Sequence, residues 1–156
     1  MTPWLNEMLY SVNERFFTPA ELDKVRTYVN SVTPRMRVAE EIEKMESWLE
    51  RELITQLARQ HPTRTCYNQR FVRDVIESMR VVVQSMLADD PRLLQYRVTD
   101  HLTALVRNLE IPAEVVAAPY HLLQTLLAEK LGVSQWGILE PYLSQITDAL
   151  AVATPV

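Results

Sequence analysis

The sequence predicts an all-α chain, and three observations predict it. Apolar residues recur three or four apart through most of the 156 residues. Helix-start signals with proline recur at Thr18-Pro19, Thr33-Pro34, Asp90-Pro91 and Ile111-Pro112. No alternating apolar–polar run bounded by hairpin residues is present. The glycine count agrees. Two glycines stand against nine prolines, where about eleven glycines are usual at this length. So few glycines leave little backbone with easy positive φ. Gly-rich phosphate loops and dinucleotide turns are excluded, and helices must close by other means.

The elements follow in order. Residues 1–31 read as an arm of two short helices. Thr18-Pro19-Ala20-Glu21 is a capping box, with Thr at the cap, Pro at the first position and Glu at the third. Thr33-Pro34 repeats the cap-then-proline pair and opens a body over 34–153 with five or six longer helices. In 36–58 the stripe is Met36, Val38, Ile42, Met45, Trp48, Leu49, Leu53 and Leu57. In 67–87 it is Phe71, Val75, Met79, Val82, Val83 and Met86. The β-prone run Val81-Val82-Val83 lies inside that longer helical pattern, which overrides it. Leu94, Val98, Leu102, Leu105 and Leu109 mark 93–109. The segment 113–131 ends before Gly132, read as a left-handed terminator. Pro119 within it is expected to kink or divide it. The last helix begins near Gln135–Pro141 and runs to about Val152. The other prolines read as punctuation between helices. The methionines Met36, Met45, Met79 and Met86 read as core filler.

Length and charge bound the function. A chain of this size buries enough surface to fold as a single domain, 1–156, without staples. Net charge is −4, so nucleic acid is an unsuitable partner for the whole surface. Of 16 basic residues only Lys24, Lys44 and Lys130 are lysine. The arginine excess suits fixed ion pairs or a partner surface. The single cysteine, Cys66, excludes an internal disulfide and suits a reducing compartment. No uninterrupted apolar run is long enough to span a membrane. The N-terminus lacks the basic start and apolar run of a secretion signal.

Enzyme signatures are missing. There is no HExxH, no CxxC and no G-x-S-x-G, so no catalytic residue and no metal site is assigned and the chain reads as a non-enzyme. His61, His101 and His121 are far apart in sequence. The carboxylates Glu40, Glu41, Glu43, Glu46, Glu50 and Glu52 read as a solvated helix face. Trp4 and Trp136 are either core residues or partner anchors. One constellation stands out: Arg70, Phe71, Arg73, Asp74, Glu77 and Arg80 on one helix. Arginines flanking an acid can bind a carboxylate and offer an acceptor beside it. Ladder pairs Arg70–Asp74 and Arg73–Glu77 are the plainer alternative.

Ordered motifs along the chain resemble the phycobiliproteins, the light-harvesting subunits of phycobilisomes. Arg15-Phe16-Phe17-Thr18-Pro19-Ala20-Glu21-Leu22 resembles that family's Arg-Tyr-Leu-Ser-x-x-Glu-Leu. Arg35-Met36-Arg37-Val38-Ala39 is similar to its Arg-Leu-Arg-Ile-Ala. Val72-Arg73-Asp74 with Met79-Arg80 resembles the Arg-Asp…Leu-Arg of its bilin helix. Leu87-Ala88-Asp89, Leu109-Glu110-Ile111-Pro112 and Pro141-Tyr142-Leu143 resemble its later turns and its final helix. The resemblance implies a globin-like fold with two extra N-terminal helices. It also implies bilin-pocket equivalents at Arg70, Phe71, Arg73 and Asp74.

The departures shape the functional expectation. Phe71 stands where the family attaches bilin through cysteine, Cys66 lies more than a helical turn earlier, and the family's loop before the bilin helix is missing. That loss is expected to open or collapse the pocket. Val32, Asp89 and Glu110 stand where the family has glycine. For Arg73 and Asp74 two readings stay open: a retained non-covalent bilin site, or ancestry with surface ion pairs. Ser11, Arg80 and Gln84 occupy the family's subunit-joining positions, and only Arg80 matches. A partner interface is expected on Trp4, Leu5, Met8, Leu9, Phe16, Phe17 and Arg80, as a homodimer or heterodimer. The leading expectation is a protein-binding accessory or assembly factor of the phycobilisome or photosystem. It would work in the cytoplasm at the thylakoid face, with no covalent cofactor. A non-covalent bilin or tetrapyrrole carrier is the alternative. A haem-binding globin-type sensor, with His101 or His121 as axial ligand, is a third.

Overall fold

A computed structural model describes residues 2–12 and 15–153. Among them every regular element is helical. α1 spans Pro3–Ser11, α2 Pro19–Gln60, α3 Gln69–Ala88, α4 Pro91–Leu94, α5 Asp100–Asn108, α6 Ala113–Lys130 and α7 Val133–Ala151. A π-helical turn, Gln95–Thr99, joins α4 to α5. The all-α expectation therefore holds, while several boundaries differ from it.

The largest difference is at Pro34. The sequence places a helix boundary there, but α2 runs through it for 42 residues. Proline removes one intrahelical hydrogen bond, freeing the carbonyl of Asn30 four residues earlier. Both Asn30 and Pro34 are exposed, and a freed carbonyl costs least where solvent has access. The arm and the body thus share one helix.

Pro119 is the buried counterpart. It sits inside α6, which runs on from Ala113 to Lys130 without dividing. Its missing N–H frees the carbonyl of Val115. The hydroxyl of Tyr67, from the segment before α3, donates to that oxygen at 2.9 Å. Pro141 likewise lies within α7, which starts earlier than expected, at Val133.

The two glycines and the two left-handed turns do not coincide. Gly132 has φ −64° and ψ 154° and caps the start of α7 instead of terminating α6 in the left-handed region. The described residues with positive φ are Asp89 (φ 52°) and Glu110 (φ 51°). Asp89 closes α3, and the N–H of Asp90 reaches back to the carbonyl of Ser85 at 3.0 Å, a Schellman-type closure. Two of the three positions where the resemblance has glycine therefore keep the left-handed backbone without it. The third, Val32, is ordinary helix.

The capping box at Thr18 and Glu21 forms as expected. Asp90 caps α4 by accepting from the Arg92 N–H at 3.1 Å. The core is one cluster built from α2 beyond Val38, α3, α5, α6 and α7, with Leu49, Leu53, Leu57, Met79, Met86 and Leu143 at its centre. Met36 is a correction: it is 51% exposed instead of filling the core. α3 packs one flank on α2 and the opposite flank toward α5 and α6, which sets the geometry of the site.

Candidate functional site

The flank of α3 facing α5 and α6 encloses a cavity of about 320 Å³. Phe71, Val75, Leu102, Leu105, Ile111 and Val115 supply its apolar walls. Cys66, Asp74, Ser78 and Tyr120 supply its polar atoms. The α3 residues at 71, 74, 75 and 78 are three or four apart, so one face of one helix delivers them. Phe71 is half-buried and packs on Tyr67, ring centroids 5.5 Å apart. The buried Tyr120 hydroxyl donates to Ser78 Oγ at 3.1 Å, and Ser78 donates to the Asp74 carbonyl at 2.9 Å. Burial pushes the Tyr120 phenol up to about 12, so it stays a neutral donor.

The cavity opens into a shallower groove of about 500 Å³ between α3 and α5. Asp74, Ser78, Leu102 and Leu105 line both spaces. In the groove Arg97 donates to Gln84 Oε1 at 3.1 Å. The volumes fall in the range of small-molecule sites. Of the two expectations for the pocket, opening or collapse, the second is not met: the space between α3, α5 and α6 remains.

The predicted pocket residues divide. Phe71 and Asp74 line the cavity; Arg70 and Arg73 do not. Arg73 turns to α2, its Nε 3.6 Å from Glu50. Arg80 also turns there and grips Glu46 with two hydrogen bonds, from Nε at 2.9 Å and Nη2 at 2.5 Å. That guanidinium holds the Glu46 carboxyl below its ordinary range. The ladder pairs Arg70–Asp74 and Arg73–Glu77 do not form among the described residues; Arg73 and Arg80 tie α3 to α2 instead. Arg80 is thus occupied within the chain.

The histidines do not face the apolar cavity. His101 is exposed and lines the open groove. His121 is exposed in a separate cleft with His61, Arg64 and Glu114. No group of three or more His, Cys, Asp or Glu among the described residues is placed to hold a metal ion.

The N-terminal region is partly covered by its own chain. Met8 is buried, and Trp4 lies edge-on to Tyr28, 5.9 Å between ring centroids. Leu5 and Phe17 are half-buried, Leu9 is 40% exposed and Phe16 is 97% exposed. Beneath Trp4 the chain builds a network that sequence reasoning missed. Arg35 is buried and stacks on the Tyr28 ring at 5.3 Å. It donates to the Met86 carbonyl at 3.3 Å and to Ser31 Oγ, and pairs with Asp89 at 3.4 Å. Tyr142 donates to Asp89 at 2.9 Å. Burial, then that hydrogen bond, pushes the Tyr142 phenol up to about 12. A motif resemblance marked Arg35 and Tyr142 separately, but nothing local joins residues so far apart.

No helix among the described residues is long and apolar enough to cross a membrane. A family model described as "Phycobilisome protein" matches residues 10–150. Among curated proteins nothing matches the chain.

Proposed function

The chain belongs to the phycobilisome protein family, and on that premise we propose a non-enzymatic member without covalent bilin on α3, acting through protein contacts. Its place is that of an accessory or assembly factor of the photosynthetic apparatus, at the cytoplasmic face of the thylakoid. The observation that carries the reading is Phe71. A phenyl ring lines the cavity where the resemblance expects the cysteine that joins the chromophore. A benzyl side chain has no nucleophile, and its ring fills the space beside the anchor point. The surface supports the second half of the reading. Leu9, Tyr10, Phe16 and Leu22 are exposed apolar residues gathered in the N-terminal region, and such gatherings mark protein contacts.

The test is retention of partners from a phototroph extract by the full chain and by a chain lacking residues 1–17. The reading expects phycobilisome or photosystem subunits on the full chain and their loss on truncation. Equal retention by both, or none by either, contradicts it.

The intact cavity favours a second reading, a non-covalent tetrapyrrole carrier. Asp74 is the polar anchor of that reading, since Arg73 is held by Glu50. Saturable binding of free bilin, weakened by Asp74→Ala, would establish it; absence of binding would remove it.

A further inference from the structure

Where the α2–α3 connection meets α6 the surface holds an open cleft of about 460 Å³. It shares no residue with the cavity beside Phe71. Ala117, Ala118 and Leu122 form its apolar floor, two of them buried. His61, Arg64, Glu114 and His121 supply its charged and titratable groups. One of these is an acid; the other three are cationic or become so on protonation.

The groups on both walls are held from behind. Arg64 Nη1 donates to the Tyr67 hydroxyl at 3.4 Å. That hydroxyl is committed to the Val115 carbonyl, which Pro119 leaves free, and Tyr67 is 7% exposed. His61 packs its ring on the same tyrosine, 5.3 Å between centroids. The interruption of α6 thus positions two groups of the facing wall through one buried phenol. On α6, His121 Nδ1 meets Gln124 Oε1 at 3.2 Å. Gln124 gives its amide nitrogen to Ser144 Oγ and Thr147 Oγ1 at 3.2 and 3.3 Å, which turns its oxygen toward the histidine. An amide oxygen only accepts, so His121 Nδ1 carries the proton and Nε2 is the nitrogen left over. Arg64 is paired only loosely, with Glu114 at 3.6 Å on a side chain 77% exposed. A guanidinium fork has more donors than these two contacts use.

We propose that this cleft binds a small organic carboxylate, its anion on Arg64 and His121 and its apolar body on the floor. The fork of Arg64 suits the two oxygens of a carboxylate. Displacing Glu114 gives up a solvated pair of little worth. The volume is that of a small-molecule site, and a bare inorganic anion would leave the apolar floor wet. Protonation of His121 at Nε2 turns that nitrogen into a donor, so affinity rises as pH falls. The groups that share the cleft are Glu114, Arg64 and His61, with Tyr67 and Cys66 near Arg64. Histidine changes charge between about pH 5 and 8, so His61 acts in the same direction.

Titration of the full chain with benzoate, followed by NMR, tests the site against benzamide and inorganic phosphate. Benzoate near pH 6 should give saturable shifts at the cleft residues and bind more tightly than phosphate; benzamide should give none. Arg64→Gln should weaken benzoate at least about tenfold. Glu114→Gln should tighten it about threefold, a gain that misfolding cannot imitate. Raising the pH to about 8 should weaken benzoate about fivefold in the wild type and less in His121→Gln. Absence of saturable shifts, benzamide or phosphate bound as tightly as benzoate, or unchanged affinity in Arg64→Gln overturns the proposal. So does looser binding by Glu114→Gln, or a wild-type affinity indifferent to pH.

Discussion

The two halves of α2 are both apolar, and they meet different fates. Beyond residue 38, Val38, Ile42, Leu49, Leu53 and Leu57 are at most 2% exposed. Before it, Leu22, Val29 and Met36 are about half exposed. Periodicity creates a stripe in each half, but only topology supplies a cover. α3, α6 and α7 close over the second half, while α1 lies over a different side of the first. Arg35 marks the junction. Its guanidinium bonds the carbonyls that end α3, so the last buried position before the core is polar.

The largest expected effect is in the covered half. Leu53→Ala should cost ~3 kcal/mol of unfolding free energy, as for other buried leucines. Val29→Ala should cost the monomer no more than ~0.5 kcal/mol. Denaturant titration of both variants under monomeric conditions checks this, and equal costs would erase the distinction between the halves. Next comes the junction. Arg35→Met removes donors from the end of α3 and leaves Asp89 with Tyr142 alone, at a cost of about 2 kcal/mol by the same titration.

Tyr142 gives a pH signature of the same network. Its phenol is raised from 10 to about 12 in the folded chain. The unfolded chain therefore loses this proton first as pH rises. The stabilisation is full below pH 10 and is lost as pH climbs through the folded value near 12. Thermal unfolding between these limits should fall less steeply with pH in Tyr142→Phe than in the wild type. The smallest effect belongs to the α2–α3 flank. A double-mutant cycle on Glu46 and Arg80 should give roughly 0.5 kcal/mol, since the pair is largely solvated. Its sign with pH is opposite. The Glu46 carboxyl is held low, so its contribution is present above the ordinary carboxylate range and disappears as pH falls through the lowered value.

What was legible in the residues was local. The capping box at Thr18 and the cap at Asp90 are read within four positions and form as read. The face of α3 bearing Phe71 and Asp74 is likewise a matter of spacing. What was not legible depends on contacts far apart in sequence. Pro119 should break a helix by a local rule, yet Tyr67 supplies the missing donor from outside α6. Pro34 should start a helix, yet exposed backbone tolerates it. Arg73 and Arg80 have acids one turn away but bind Glu50 and Glu46 on a neighbouring helix. Asp89 adopts the left-handed turn with Arg35 and Tyr142 holding its carboxylate. The apolar stripe on the first half of α2 was visible in principle, because its spacing is regular from Leu22. Treating Pro34 as a boundary cut it in two.

Phe71 carries the functional account, and one measurement bears on it most directly. The full chain is produced in cells that make phycocyanobilin, then denatured and run on a zinc-stained gel. The account predicts a protein band without bilin fluorescence. A fluorescent band that survives denaturation would contradict it.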